Sequence, residues 1–596
     1  MSNPLFDDRD IRFTLYDVLG ADALCELPYF SEHSPQTFDL YLKAARDLAR
    51  NEVFPTYKPM DEHPAHYEGG RVHTHPLMHA LWPKLVELGV INAARPAEVG
   101  GQQVPHVIHG AACSYLMAAN LSAFGYVMLT SGSAHLIEAF GSEALRTTYM
   151  QRMYEGRWTG TMALTEPQAG SSLADVQTRA TPTTDADGHY LMSGSKVFIS
   201  GGDQTLTENI VHLVLARIDG APPGIKGVSL FVVPKLRLEQ DGSLVDNDCS
   251  AAGTFHKLGW RGIPSIALSF GERGACRGYL VGEPHRGIPY MFQMMNEARI
   301  NIGFHGIATA SVAYHAALEY ARTRPQGRSS GLAPTAPQVP IIAHADVRRM
   351  LLRQKAIVEG GLSLVLATAL YQDLSLHAAT AKERERALQM LDLLTPIAKT
   401  FPAERGFEAN TLAVQIHGGY GYTSEYLPEA WLRDQKLNSI HEGTTGIQSN
   451  DLLGRKVIKG NGALLLREEL TKSLAAAITA GVDQLECDAL HRALDIATDL
   501  SAHLRELAAR EPEAALRHAV DYMELLSILV IAWMWLRQAT AAKRALAANP
   551  SDEGFLRGKL SAAQYWFRTE LPRVAQLAAL CKGNESSYAD MRDDWW

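Results

Sequence analysis

A single carboxylate, Glu442, lies among small and neutral residues in the stretch His-Glu-Gly-Thr-Thr-Gly-Ile-Gln, residues 441–448. Gly443 lets the backbone pass close to a ligand, and the hydroxyl groups of Thr444 and Thr445 remain free to hydrogen-bond. A carboxylate that is ionised and poorly solvated can remove a proton from carbon as a general base. A surface turn or a helix start could have the same residues, so the octapeptide alone leaves both interpretations open.

A glycine-rich run lies just upstream of the octapeptide. Gln415 begins the sequence Gln-Ile-His-Gly-Gly-Tyr-Gly-Tyr, in which Gly418, Gly419 and Gly421 fall within four positions. Glycines at this density allow a backbone to approach a ligand closely. Together the two stretches resemble the C-terminal signature of the acyl-CoA dehydrogenase family, flavoproteins that desaturate acyl thioesters between the α and β carbons.

The resemblance assigns roles to the octapeptide. It implies that Glu442 takes the α proton while FAD accepts the β hydride, with a trans-2-enoyl-CoA as product. It also implies that Gly443 contacts the substrate and that Thr444 and Gly446 contact FAD. His441 and Gly446 depart from the family, which commonly has Tyr and Gln at these positions. We therefore expect a changed flavin environment or pocket width.

A turn at the start of the predicted β domain resembles the flavin-binding motif of the family. Pro167 ends the preceding strand within the run 162–172, so the residues before it lie at a strand end. The resemblance places Leu164 and Thr165 near the polar edge of the isoalloxazine ring, and Ser171 on the acyl-CoA side. A serine-rich loop without a ligand is the alternative interpretation.

A second run, residues 194–202, also resembles a flavin-binding motif. It has Phe198 and Ser200 where the family usually has Trp and Thr. Phe198 can still pack against the flavin, although it has no indole donor. Both residues are predicted to contact the cofactor.

A predicted helix supplies candidate substrate contacts. The resemblance places Asn296 and Arg299 where the family's helix faces the thioester and the CoA arm, and a guanidinium matches phosphate oxygens. A structural ion pair of Arg299 is the alternative. Some family members have their catalytic base on this helix. Their base aligns with Ala298, and the adjacent Glu297 is turned from it by about 100°, which leaves Glu442 as the predicted base.

A shared cofactor site is implied by a further motif. Arg324 and Gln326 resemble residues that reach the flavin pyrophosphate of a neighbouring subunit, although the family's Phe is missing here. Gln415, Gly418 and Gly419 are expected to hold that same cofactor. The sequence has no GxGxxG after a predicted strand, so no Rossmann unit is expected. A site shared between subunits requires at least two copies of the chain. The resemblance therefore implies a homodimer, with a tetramer as the alternative.

The hydrophobic pattern predicts an α+β fold with four parts. Residues 1–160 have helical periodicity, 161–285 have short strand-like runs and form an antiparallel β domain, 286–460 form a helix bundle, and 461–596 form an additional helical domain. The predicted strands are 189–200, 210–218, 228–234 and 266–270.

Two apolar stretches are interpreted as buried helices. The first, residues 107–140, predicts a helix pair, with breaks marked by the glycines at 100–101 and by Gly132. The second, residues 525–536, is shorter than the roughly 20 residues of a membrane-spanning helix. We therefore expect it inside the protein, and we expect no membrane insertion.

The composition excludes several classes of protein. The chain has 596 residues, a net charge of −9 and six scattered cysteines without a CxxC pair. Nucleic-acid binding, a disulfide framework and a zinc site are not indicated, so no metal is expected. The acidic, polar N-terminus resembles neither a signal peptide nor a transit peptide, which predicts a cytoplasmic protein.

Three competing functions stay open at this point. An acyl-CoA oxidase would have similar residues but would reduce oxygen. A DNA-binding relative would need a basic C-terminal domain, whereas residues 461–596 contain 15 Lys and Arg against 19 Asp and Glu. A flavin-free helical scaffold would leave Glu442 and the glycines unexplained.

The partners and substrate also follow from the resemblance. An electron-transferring flavoprotein is the implied electron acceptor. The extra C-terminal domain resembles a longer bacterial branch of the family, in which it covers the surface that would pair two dimers. This branch implies a short- to medium-chain or methylthio-substituted acyl-CoA.

Overall fold

The computed structural model describes residues 3–185, 187–329, 331, 333–548 and 550–596, without the side chains of residues 293–295. Its first part is helical, with reciprocal hydrogen bonds between Ser34 and Thr37 capping helix α2. A small hairpin of β1 and β2, which the sequence pattern does not predict, follows α3. The elements are α1 (Asp8–Arg12), α2 (Pro35–Leu48), α3 (Tyr57–Glu62), β1 (His66–Glu68), β2 (Arg71–His73), α4 (Pro76–Glu87), α5 (His106–Ala119), α6 (Leu121–Phe140), α7 (Glu143–Leu145) and α8 (Gln151–Tyr154).

The predicted buried helix pair is α5 and α6, but its break lies elsewhere. The chain turns at Asn120, whose side-chain oxygen accepts the N–H of Ala123 at 3.1 Å and so caps α6. Gly132 lies inside α6, so the expected break at this residue is wrong. Packing of α6 on its neighbours outweighs the weak helix propensity of one glycine.

The central part is a β domain built around an eight-stranded sheet. Predicted strand 228–234 has the bounds of the observed β7, because its Val- and Leu-rich sequence is buried throughout. A separate two-stranded ribbon, β8 and β9, lies outside the sheet. The strands are β3 (Trp158–Ala163), β4 (Arg179–Pro182), β5 (Tyr190–Ser200), β6 (Asn209–Ile218), β7 (Val228–Pro234), β8 (Leu236–Leu238), β9 (Leu244–Asp246), β10 (Cys249–Thr254), β11 (Ser265–Phe270) and β12 (Arg277–Leu280).

The sheet closes on itself through β4. This short strand pairs with both β5 and β6, so a ring runs through β5, β12, β7, β6 and β4. Most pairings are antiparallel, as predicted, while β3 and β4 each pair with β6 in parallel. Parallel neighbours require a long connection, and 45 residues separate the end of β3 from the start of β6.

Three long helices form the bundle behind the β domain. Helices α9 and α11 approach closely because α9 has glycines at the contact. At Gly303 a Cβ atom would lie 2.3 Å from the carbonyl oxygen of Ala398 on α11. At Gly306 it would lie 2.7 Å from the backbone of Pro402. This contact aligns the middle of α11 with the middle of α9. The helices are α9 (Gly287–Thr323), α10 (Ala345–His377), α11 (Ala381–His417), α12 (Pro428–Lys436) and α13 (Thr445–Asn450).

The additional C-terminal domain packs against this bundle. Its central helix, α17, is the one helix among the described residues that is long and apolar enough to span a membrane, and 83% of its most apolar stretch is buried inside the protein. The Trp535 side chain of α17 donates to the carbonyl of Ala356 on α10 at 3.1 Å. The helices are α14 (Gly462–Thr479), α15 (Gln484–Ala508), α16 (Pro512–Leu516), α17 (Ala519–Ala547), α18 (Glu553–Tyr565) and α19 (Arg573–Gly583).

A buried lysine joins three parts of the chain. The ammonium of Lys559, on α18, donates to Asp10 of α1, to Glu359 of α10 at 2.7 Å and to Gln538 of α17 at 3.0 Å. Lys559 is fully buried, so its charge depends on these partners. The contacts of Lys559 join the first helix to the bundle and to the last domain. The order of helices and strands confirms the α+β fold class that the sequence predicts.

Candidate active site

Glu442 lies on the loop that precedes α13, in a backbone conformation that side chains rarely adopt. Its φ is +54°, and that of the following Gly443 is +92°. Two side chains hold these peptides. The amide of Gln448 donates to the Glu442 carbonyl at 3.1 Å, and the ammonium of Lys399 donates to the Gly443 carbonyl at 2.8 Å. Thr444 then caps α13 by accepting the N–H of Ile447.

The Glu442 carboxylate is partly buried and accepts no hydrogen bond from the described residues. Burial raises its pKa, while the charges of Arg299 and Lys399 oppose this rise. Poor solvation makes a carboxylate a stronger base, and nearby cations keep it ionised. These are the two properties that the sequence analysis requires of this residue.

Lys399 was missed by sequence reasoning. It lies on α11 and is fully buried, and its one acceptor among the described residues is the carbonyl of Gly443. Burial lowers its pKa to about 8, and the charges of Glu404 and Glu442 limit that decrease. The signal in the sequence was a lone charge in the apolar run 393–403, but nothing in the run indicates which distant loop it meets.

Arg299 forms the structural ion pair left open as an alternative. It is 4% exposed, and its guanidinium donates to Asp451 at 3.0 Å. Asp451 also accepts from Arg455 at 2.7 Å. Burial lowers the Arg299 pKa, with the charge of Asp451 opposing the decrease. Asn296 is exposed one turn earlier on α9, and its side-chain oxygen accepts from Arg299 at 3.5 Å. The charge of Arg299 acts on Glu442, and Asn296 contacts that arginine.

Glu297 is occupied elsewhere. Its carboxylate contacts the ring of His135, on α6, at 2.8 Å. The charge of His135 lowers the pKa of Glu297 against the effect of burial. This pairing matches the expectation that the glutamate next to Ala298 does not face the site.

An aromatic cluster lies behind Glu442. The ring of Trp260 contacts those of His305 and His441 edge-on, at centroid distances of 5.2 and 5.4 Å. Both ring nitrogens of His305 lack a hydrogen-bond partner among the described residues, and so does the Nε2 atom of His441. Burial lowers the pKa of His305 to about 3 and that of His441 well below its usual range, so both rings are neutral.

The predicted flavin-edge residues lie where β3 ends. The Leu164 carbonyl accepts from the Lys196 ammonium at 3.1 Å, and the Thr165 carbonyl accepts the Val197 N–H at 2.9 Å. Lys196 also donates to Glu166 at 2.7 Å. Strand β5 thus fixes this turn from one side.

Glu166 accepts a full set of hydrogen bonds. Besides Lys196, its donors are the N–H groups of Gln177 and Thr178, the Thr178 hydroxyl and the Gln168 amide, at 2.6 to 3.0 Å. These donors and the lysine charge lower its pKa to about 2 although burial alone would raise it. The pair is a closed structural unit.

Phe198 presents an exposed ring from the same strand. Its φ is +61°, and 62% of its surface is exposed. The ring packs on Phe255 at a centroid distance of 4.6 Å. A bulky residue in this conformation is an outlier, which marks a constrained position. Ser200 lies two residues on, at the strand end, and Ser171 is exposed on its loop.

A cleft of about 440 Å³ is bordered by most of the residues that are predicted to contact the FAD of a neighbouring subunit. It is lined by Arg324, Gln326, Gly418 and Gly419, among others. A Cβ atom at either glycine would meet open space, so a ligand has room to approach the backbone. Arg324 lies over the ring of Tyr420 at 5.8 Å and pairs with no carboxylate of the described chain.

Gln415 lies outside that cleft. It is exposed near the end of α11, and its carbonyl accepts the N–H of Gly418. A larger cleft of about 550 Å³ borders residues 174–179 and 217–224. Its one central cation, Arg217, already donates to backbone carbonyls, including that of Val176 at 2.8 Å. No predicted catalytic or cofactor residue lines that cleft.

The order of a helical domain, a β domain, a helix bundle and a further helical domain agrees with the order of the domains that match this chain in the acyl-CoA dehydrogenase family. The chain belongs to the acyl-CoA dehydrogenase family. Residues 36–157, 161–272 and 285–457 match the family's N-terminal, middle and C-terminal domains. Residues 468–592 match the domain described as acetyl-CoA dehydrogenase C-terminal like. The chain is thus an oxidoreductase acting on CH–CH bonds, with FAD as cofactor.

Several curated relatives cover the full chain. The chain is 39% identical to the 3-methylmercaptopropionyl-CoA dehydrogenase of Ruegeria pomeroyi, over 98% of both chains. It is 32% identical to a broad-specificity linear acyl-CoA dehydrogenase of Mycobacterium tuberculosis, over 96% of both. In fold it is similar to ACDH-11 of Caenorhabditis elegans in complex with C11-CoA, with a TM-score of 0.76 and 20% identity over 96% of this chain and 92% of that one.

Proposed function

We propose that Glu442 removes the α proton of an acyl-CoA thioester and that the product is a trans-2-enoyl-CoA. The observation that carries this proposal is the open carboxylate of Glu442 between Arg299 and Lys399. A carboxylate with a full set of donors would be too weak a base for a proton on carbon. Bound FAD supplies the acceptor for the hydride that leaves the β carbon.

The loop also offers a donor for the developing negative charge. The backbone N–H of Glu442 donates to no acceptor in the described chain. A donor fixed before the reaction stabilises an enolate oxygen without reorganisation. Gly443 and Ser171 are the proposed substrate contacts, whereas buried Arg299 acts on the base and not on the CoA phosphates.

The residues fit the two ends of FAD. Phe198 supplies an exposed apolar face, and the turn at Leu164 and Thr165 together with Ser200 borders it. Arg324 supplies an unpaired guanidinium beside a glycine backbone, which suits a pyrophosphate. The proposed FAD-contacting residues are Leu164, Thr165, Phe198, Ser200, Arg324, Gln326, Gln415, Gly418, Gly419, Thr444 and Gly446.

The site is proposed to be shared between two copies of the chain. The cleft with Arg324 and Gln326 would receive the cofactor of the second copy, so each site needs both. A homodimer is the smallest assembly that meets this need. An electron-transferring flavoprotein is the proposed electron acceptor.

The proposed substrate is a short linear or methylthio-substituted acyl-CoA. The support is the 39% identity to a relative named for 3-methylmercaptopropionyl-CoA, which extends over the whole chain. The neutral rings of His305 and His441 and the ring of Trp260 pack together beside the loop that carries the base.

An anaerobic titration of the purified holoenzyme tests the proposal. Saturated acyl-CoAs from C3 to C16 and methylthiopropionyl-CoA are added while the oxidised-flavin absorbance is recorded. We expect bleaching, fastest for short or methylthio chains. Glu442→Gln should retain the yellow flavin and lose about 10²–10⁴-fold in bleaching rate.

Glu297→Gln is the matched control, because Glu297 is the glutamate on the helix that carries the base in other family members. This variant should bleach at close to the normal rate. Near-normal turnover of Glu442→Gln, or loss of bleaching only in Glu297→Gln, contradicts the assignment of the base.

Retention of FAD tests the shared site. Arg324→Ala should weaken FAD binding, because it removes the unpaired guanidinium of the cleft. The measurement is the flavin-to-protein absorbance ratio after gel filtration. Arg322→Ala is the control, because Arg322 is an exposed arginine in the last turn of α9, just before Arg324. Equal occupancy in both variants would remove the intersubunit proposal.

A further inference from the structure

Side chains from two helices hold the loop that carries Glu442 and Gly443, each at one of these two residues. Gln448, on α13, donates to the Glu442 carbonyl, and Lys399, on α11, donates to the Gly443 carbonyl. Both residues of the loop have positive φ, a conformation that needs support from the surroundings at a non-glycine residue. Lys399 is therefore in direct contact with the peptide next to the base.

We propose that Lys399 is a positioning residue, whose ammonium fixes the Gly443 peptide and keeps the Glu442 carboxylate ionised. The proposal rests on the role of Glu442 given above. Lys399 has no hydrogen bond to any carboxylate among the described residues, and its single acceptor is neutral. A buried ammonium with a neutral acceptor needs nearby negative charge, which Glu404 and, to a smaller extent, Glu442 provide.

Other charged groups around the loop are already paired or neutral. Arg299 of α9 is bound to Asp451. Glu404 of α11 accepts from the Thr445 hydroxyl and faces Lys399 from its own helix. The rings of His305 on α9 and His441 on the loop are neutral. Of the two cations that act on Glu442, Arg299 is thus ion-paired with Asp451, whereas Lys399 makes no ion pair within 4 Å among the described residues.

The direction of the effect follows from these charges. Lys399 favours the ionised form of Glu442, so its removal raises the pKa of the base. At a pH below the new pKa, the ionised fraction falls about tenfold for each unit of that rise. The Lys399 pKa is about 8, so the ammonium loses its proton in alkali. The unaltered protein and a neutral variant should therefore converge above that pH.

The experiment isolates proton removal from hydride transfer. An acyl-CoA with sulfur at the β position has an α proton but no β hydrogen to give. Exchange of its α protons with D2O, on the holoenzyme, is followed by NMR across pH. For Lys399→Gln we expect the midpoint to move to higher pH, with exchange below the midpoint slowing about tenfold for each unit of that movement. Lys399→Arg, which retains the charge, should restore most of the exchange.

The control is Lys257, a half-buried lysine with the same pKa, about 8. Lys257 also donates to backbone carbonyls, but it faces Asp434 and does not act on Glu442. Lys257→Gln should leave the midpoint unchanged. A lower plateau with an unchanged midpoint in Lys399→Gln would mean a purely structural role and would overturn the proposal.

Two further outcomes separate this proposal from the proposed function. Exchange that survives in Glu442→Gln means that the base is wrong. Exchange lost in Glu442→Gln but with an unchanged midpoint in Lys399→Gln overturns only the role of Lys399. If Lys399→Gln does not fold, infrared spectra of the unaltered protein with ¹³C-labelled glutamate, minus those of Glu442→Gln, show the protonation of Glu442. A protonated carboxyl at pH 7 contradicts the proposal.

Discussion

Lys196 and Lys399 are both buried near a glutamate, and the two glutamates differ in the hydrogen bonds they accept. Glu166, beside Lys196, accepts from five donors, and its pKa falls to about 2. Glu442, near Lys399, accepts none from the described residues, and its pKa rises. The first pair fixes a turn of the β domain, while the second leaves a base open.

The comparison shows that burial and charge alone do not make a catalytic base. Both glutamates experience desolvation and a nearby ammonium. Backbone and side-chain donors stabilise the Glu166 anion until it no longer takes up a proton near neutral pH. In contrast, Lys399 donates to a carbonyl beside Glu442, which supplies charge without occupying the carboxylate oxygens.

The largest effect on stability is expected for the pair of Glu166 and Lys196, in which the carboxylate has a full set of donors. Glu166→Gln leaves the fully buried Lys196 without its anion, which should lower the free energy of unfolding by about 3 kcal/mol. Urea unfolding followed by circular dichroism measures this change. Exposed Glu155→Gln should change the free energy by less than about 0.5 kcal/mol. Equal effects of the two variants would contradict the structural role of the closed pair.

The lowered pKa of Glu166 should make the stability of the protein depend on pH in acid. The folded pKa of Glu166, about 2, lies below the ordinary value of 4.5, so its ionised form stabilises the fold above pH 4.5. This contribution, on the order of 2–3 kcal/mol, is lost as the pH falls from 4.5 towards 2. The difference in unfolding free energy between the unaltered protein and Glu166→Gln should shrink over that window. A constant difference would contradict the lowered pKa.

The smallest effect is expected at the open glutamate, with the opposite sign. Burial penalises the Glu442 anion, so Glu442→Gln should leave the protein within about 1 kcal/mol of its normal stability, on the more stable side. Thermal unfolding of the apoprotein avoids differences in bound flavin. A loss of stability as large as that of Glu166→Gln would mean that the two pairs do not differ.

Local patterns in the sequence predicted much of the fold. Strand 228–234 has the predicted bounds because its residues are apolar except for Ser229 and are bordered by turn residues. The helix pair over 107–140 was also predicted, but its break is at Asn120 and not at Gly132. A cap depends on one side-chain hydrogen bond, which a pattern of glycines does not report.

The site was predicted only where its residues are neighbours in sequence. Glu442 and Gly443 came from one octapeptide, and Arg324 with Gln326 from another motif. Lys399 and Asp451 reach the loop from other elements, and the sequence contains no periodicity that joins them to it. Arg299 was assigned from the resemblance to the CoA arm or to an ion pair, and only its contact with Asp451 distinguishes these roles.

Lys559 makes the order of synthesis matter. Asp10 and Glu359 share its ammonium, and Lys559 lies 549 positions after the first carboxylate and 200 positions after the second. Both carboxylates therefore leave the ribosome long before their common cation does. A nascent chain that stalls before this residue lacks the partner of Asp10 on α18, while Glu359 keeps its ion pair with Lys355 of its own helix. The contact between α1 and α18 therefore forms only after α18 has been synthesised.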